Sequence, residues 1–234
     1  MNRGQLQLQW WLLLSVSLCL LSSGPLQCQE GPSSVPLVEA LRQGNLEEAR
    51  RIVRSGAKLD VVDNYGDTPL FQAIRSGYSD FAEELLSTGA DPEFTSGGGT
   101  ALMVAAWYRD LRIARILLDR GVSVNAADAK GQTALMNASQ TCLDGKMVQL
   151  LLDAGADTNA KTVDGFTALM SAASAGNALA AEKLLKAGAD PRVKNKYGST
   201  AEDEACDRGE KGHAQVCALL REALRRREAD RKSR

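Results

Sequence analysis

From Val35 onward, short apolar runs and polar breaks follow one another at a steady beat. After each of Thr68, Thr100, Thr133, Thr167 and Thr200 come about ten residues rich in Ala and Leu, a polar break, and a second apolar run. TALMVAAWYRDLRIARILLDRG and TALMSAASAGNALAAEKLLKAG show the unit in full, and TALM itself occurs three times, at Thr100–Met103, Thr133–Met136 and Thr167–Met170. Apolar residues at helical spacing in both halves predict two helices of roughly nine residues per unit. Helices that short do not persist alone in water. They must gain their stability by stacking on neighbouring copies.

Two independent rulers fix the period. The threonines are spaced 32, 33, 34 and 33 residues apart, and the glycines that end the second runs (Gly56, Gly89, Gly121, Gly155 and Gly188) are spaced 33, 32, 34 and 33 apart. Each position has a mechanical reason. A threonine before the first helix can cap its orphan N–H groups. Gly89, Gly155 and their equivalents suit the left-handed residue that terminates the second helix. Connections such as DNYGDT and DAKGQT supply turn residues for a projecting hairpin.

This pattern resembles the ankyrin repeat, G-x-T-P-L-H-x-A-A followed by L-L-L-x-x-G-A-x-x-N. TPLF at Thr68–Phe71 and LLLDAGADTNA at Leu150–Ala160 carry the resemblance most clearly, and it covers about Val35 to Leu224. It implies an all-α ankyrin-repeat solenoid of stacked helix-turn-helix units with projecting hairpin loops. Where the family has His, this chain has Phe71, Met103, Met136 and Met170. Methionine suits irregular gaps between stacked helices. PLVEALRQGNLEEARRIVRSGAKLD, with no preceding G-x-T element, reads as an N-terminal cap. In the last unit Glu202 stands where a leucine would face a further neighbour, as a polar end face requires. The expected units are 35–59, 60–92, 93–125, 126–159, 160–191 and 192–224, with a basic tail over 225–234.

Residues 1–28 have the layout of a signal peptide: Arg3, an apolar run from Trp10 to Leu21, then a Ser/Gly/Pro-rich segment. That run is too short for a bilayer about 30 Å thick, which needs roughly 20 residues. Cleavage is expected after Ser23 or Cys28, with residues 29–34 as a linker. Export follows, to the periplasm in a Gram-negative bacterium and otherwise to the outside, with no stable membrane insertion after cleavage. An uncleaved leader would instead make the chain a membrane-anchored adaptor.

The net charge of −1 gives no field to attract nucleic acid. The last fourteen residues carry seven Lys/Arg against three Asp/Glu, a local +4 on a body of −5. Of five cysteines, Cys206 and Cys217 fall on the two helices of the last unit, where an oxidising compartment would let them pair. Cys142 is then single. With one histidine, His213, and no C-x-x-C pair, no metal site is indicated. Asn137-Ala138-Ser139 matches a glycosylation sequon but lies within a helix. Carboxylates near the turns (Asp63, Asp67, Asp128 and Asp164) repeat with the fold. No nucleophile–base–orienter set is present, and no cofactor is called for.

The resemblance implies protein–protein recognition on the concave surface made by hairpin tips and first helices. Outside the leader, six of nine aromatics map to tips or first-helix ends: Tyr65, Phe94, Trp107, Tyr108, Phe166 and Tyr197. Trp and Tyr are typical binding anchors. With Asp67, Arg109, Lys130 and Lys196 at the rim, these residues form the candidate partner-binding row. The expected protein is a non-catalytic scaffold, monomeric when free, similar to periplasmic ankyrin proteins that support or neutralise protein partners. An accessory role beside oxidative-stress enzymes, and immunity-type inhibition of a toxin, are the alternative readings.

Overall fold

The computed structural model describes residues 36–95, 99–141, 144–206 and 211–232. The expected leader and linker, Cys142 and Asp207–Gly209 lie outside the described residues. Among the described residues there are twelve helices and no strand. They form six pairs: α1 (Pro36–Arg42) with α2 (Leu46–Arg54), α3 (Pro69–Arg75) with α4 (Ser79–Thr88), and α5 (Ala101–Tyr108) with α6 (Leu111–Asp119). The second half continues with α7 (Ala134–Thr141) and α8 (Lys146–Asp153), α9 (Ala168–Ser174) and α10 (Ala178–Lys186), then α11 (Ala201–Cys206) and α12 (Lys211–Lys232).

The first helices α1, α3, α5, α7, α9 and α11 stack in chain order, each against the next. Each threonine performs its expected task. The hydroxyl oxygens of Thr68, Thr100, Thr133 and Thr167 accept the N–H groups of Phe71, Met103, Met136 and Met170. Asn45, Asp110 and Asn177 cap second helices in the same way. Such caps are worth about 1 kcal/mol each. At the other end, Gly89 adopts φ 112° and its N–H bonds to the Leu85 carbonyl, closing α4.

The core is one continuous seam. Leu37, Leu70, Leu102, Leu135 and Leu169 are all buried in it. Full burial of each contributes roughly 1.5–3 kcal/mol. Phe71, Met103, Met136 and Met170 are equally enclosed, so the Met stripe fills the core. Fully buried alanines (Ala105, Ala106, Ala138, Ala172 and Ala173) leave the first helices little between them. Polar threads cross the seam too: Asn137 donates to the Met103 carbonyl, and the His213 Nε2–H to that of Ser174. His213 is buried there as a structural residue.

The C-terminal boundary differs from the expectation. No break falls at residue 224; α12 runs for 22 residues, through the basic segment. At 1.5 Å per residue it is about 33 Å long. Glu222 pairs with Arg226 one turn on. Arg227 reaches back to the Asp190 carboxylate and the Ala189 carbonyl, each at 3.1 Å. No helix among the described residues is long and apolar enough to cross a membrane.

Candidate partner-binding surface

Each projecting tip is a turn built on one side-chain oxygen. Asp63 Oδ1 accepts the N–H groups of Tyr65 (2.8 Å) and Asp67 (2.9 Å). Asp128 Oδ1 does the same for Lys130 and Gln132, both at 2.8 Å. Asn195 Oδ1 serves Tyr197 (2.9 Å) and Ser199 (3.0 Å), and Thr162 Oγ1 serves Phe166 (3.0 Å). A short oxygen two residues before the tip thus presents Tyr65, Lys130, Asp164 and Tyr197 outward.

The last three tips are tied together through the backbone. The Val163 N–H donates to the Lys130 carbonyl at 2.9 Å, and the Lys196 N–H to the Asp164 carbonyl at 2.8 Å. The approach requires glycine. A Cβ on Gly131 would lie 2.9 Å from Thr162 Cα, and one on Gly165 would lie 3.1 Å from Asn195 Cα. On this platform Phe166 and Tyr197 meet edge to face, with centroids 6.4 Å apart. The Lys196 ammonium lies 5.0 Å from the Tyr197 ring centre and pairs with the Asp164 carboxylate. That carboxylate, and the Tyr197 hydroxyl after it, hold the ammonium above its ordinary value. An open groove runs beside the platform, lined by Lys130, Gln132, Gln140, Val163 and Phe166.

Trp107 and Tyr108 end α5 at 45% and 44% exposure, far more open than the helix's other apolar residues. The next residue, Arg109, closes the helix in the left-handed conformation (φ 63°) and is exposed. Tyr65 is exposed at its tip, and the Arg42 guanidinium lies 4.9 Å from its ring centre. Phe94 is half-buried.

Asp67 departs from its expected place at the rim. It is 3% exposed and bonded to Arg75. The turn that lifts Tyr65 outward folds Asp67 beneath it, since its own N–H must reach Asp63. Burial pushes the Asp67 carboxyl up, and Asp63 adds to that against the pull of Arg75 and Arg42. Burial acts on Asp63 in the same direction. There, however, the backbone N–H of Asp67, Arg42 and the N–H of Tyr65 outweigh it and set the carboxyl low.

One platform residue was not picked out from the sequence: Val163, 77% exposed at the tip. Its signal is a branched apolar residue inside a turn, TVDG, where DNYG, DAKG and NKYG carry Asn, Ala and Lys. Asn137 of the sequon is engaged at both ends of its amide, with Met103 and Gln132. Cys206 and Cys217 are joined as a disulfide.

Helix pairs stacked in register, with turns projecting from one side, define a helical repeat protein. A family model described as ankyrin repeats (3 copies) matches residues 13–96, 37–128, 94–162 and 142–230. The chain belongs to the ankyrin-repeat family. Ankyrin repeats generally mediate protein–protein interaction and are typically non-catalytic scaffolds. No curated protein matches the chain.

Proposed function

We propose that the chain is a non-catalytic scaffold, active in an exported compartment, that captures a protein partner on its concave face. The observation that carries this reading is a set of large side chains left open on a rigid frame. Trp107, Tyr108, Val163 and Tyr197 are all exposed, and the tips beneath the last two are locked by backbone hydrogen bonds. A pre-organised surface loses little freedom on binding, and aromatic anchors give large contact area for few rotatable bonds. Lys130, Arg109 and the Lys196–Asp164 pair supply a polar rim. The exported compartment rests on the leader-like residues 1–28.

The test is a pull-down from the native exported fraction, with Trp107→Ala/Tyr108→Ala and Tyr197→Ala as comparisons. One stoichiometric protein should be captured by the wild type and lost from the double variant, with the melting temperature nearly unchanged. A matching loss of stability would instead make Trp107 and Tyr108 core residues. Capture undiminished in all variants would move the binding surface elsewhere.

A further inference from the structure

Cys206 ends α11, Cys217 lies on α12, and the bond between them clasps the last repeat. Their surroundings are unlike those of an inert structural bridge. Both cysteines line one open groove with Ala214, Ala218, Arg221 and Arg225, Cys217 buried and Cys206 half-buried. The Arg221 guanidinium reaches Cys206 Sγ, with Nη2 at 3.6 Å, while its Nε bonds the Glu202 carboxylate at 2.8 Å. A Glu202 oxygen and both sulfurs lie within 4.8 Å of one another. Glu222 and Arg225 also face the groove, and α9, packed against α11, brings no titratable side chain. Reactive cysteines sit in partly exposed, electropositive surroundings, and inert ones are enclosed by apolar atoms. Cys206 is the half-exposed member of the pair and the one a guanidinium touches, while Cys217 is buried beside it.

We propose that the Cys206–Cys217 bond is a thiol–disulfide exchange site for small external thiols, with Arg221 as the positioning residue that stabilises Cys206 as a thiolate. The external thiolate enters along the groove and attacks Cys206 Sγ. A mixed disulfide forms there, the Cys206–Cys217 bond breaks, and its electron pair leaves on Cys217, which takes a proton. A second external thiolate attacks the external sulfur of the mixed disulfide. The small disulfide departs, and Cys206 leaves as a thiolate against Arg221. Two external thiols are thus oxidised to one disulfide while the protein's bond is reduced to a thiol and a thiolate. Of the two protons given up, one goes to Cys217 and one to solvent. A leaving thiol of lower pKa leaves faster, which is the contribution of Arg221.

The experiment uses the full chain in two settings. In Cys217→Ser, alkylation of Cys206 is followed against pH by peptide mass spectrometry, which separates it from the other cysteines. The midpoint should lie about one unit below the ~8.5 of a free cysteine, and Arg221→Gln should raise it by a similar amount. In the wild type, reduced glutathione should carry the bond through to the released thiol pair in native buffer, about threefold or more faster than in Arg221→Gln, where departure of Cys206 from the mixed disulfide is slower. The same midpoint with and without Arg221, or a bond that opens only in urea, would overturn the proposal. Should Arg221→Gln lower the melting temperature, Arg221→Lys decides: with the cation kept, a low midpoint supports the exchange site and an ordinary one overturns it.

Discussion

Asp63 and Asp67 are the same residue type four positions apart, and the turn drives their carboxyls in opposite directions. Asp63 lies below its ordinary 3.8, because two backbone N–H groups and Arg42 outweigh burial. Its stabilising contribution is present above that ordinary value and is lost as pH falls through the lowered one. Asp67 lies above 3.8, with burial leading, so its contribution is present below 3.8 and lost as pH rises through the raised value. Asp63→Ala should cost about 1–3 kcal/mol at neutral pH, the range for unpaired buried polar groups. Asp63→Asn should cost less, since Asn195 holds an equivalent turn with the same oxygen. Urea melts would show this ranking, with the gap between Asp63→Ala and wild type closing in acid; equal costs would remove the turn from the explanation. The turn chemistry was legible in D-x-x-G-x-T, but the burial of Asp67 was not. Charge and a turn position suggested surface, while the return path of the backbone decides which turn residue lies underneath.

Among the elements, the tips behave differently from the helix ends although both depend on glycine. Gly56 and Gly131 have similar angles, φ 81° and 75°, but a Cβ on Gly56 meets nothing within 4 Å. Gly56→Ala should therefore cost only the left-handed penalty of about 1–2 kcal/mol. Gly131→Ala adds a collision with the next tip, so it should cost more and should speed amide exchange at Val163, whose N–H bonds to Lys130. Unchanged exchange at Val163 would show that the tips are not coupled. The helices themselves were legible because Thr, Leu-Leu and Gly recur in the four internal copies, each of which meets the same neighbours. The extent of α12 was not legible. The dense charge after Leu224 looked like a tail, whereas the Glu222–Arg226 pair and the anchor from Arg227 to Asp190 carry the helix on. Arg226 and Arg227 have no counterpart in the earlier repeats, and Asp190, though it recurs as Asp91 and Asp157, lies in the preceding repeat.

At the scale of the molecule, stability is approximately a sum over repeats and their interfaces. Among the described residues the last repeat has a neighbour on one side only, and its Glu202 is satisfied by Arg221. The disulfide compensates at that weak end. Cys206→Ser/Cys217→Ser should cost about 2–3 kcal/mol, in line with closing a short loop. Hydrogen exchange should place the loss in α11 and α12, leaving α5 and α7 protected. A loss spread evenly over all repeats would show that the array unfolds as one cooperative block.

The position of that bond also governs how the molecule carries load. Tension applied at the C-terminus first meets the part of α12 beyond Cys217, held to its neighbour by Arg227. Once that part peels away, force crosses from Cys217 directly to Cys206, bypassing a sequence separation of 11 residues. The intervening segment bears no tension, and α11, the innermost helix of the last repeat, is pulled next. Oxidised and reduced chains therefore differ in how much length the last repeat releases under the same pull.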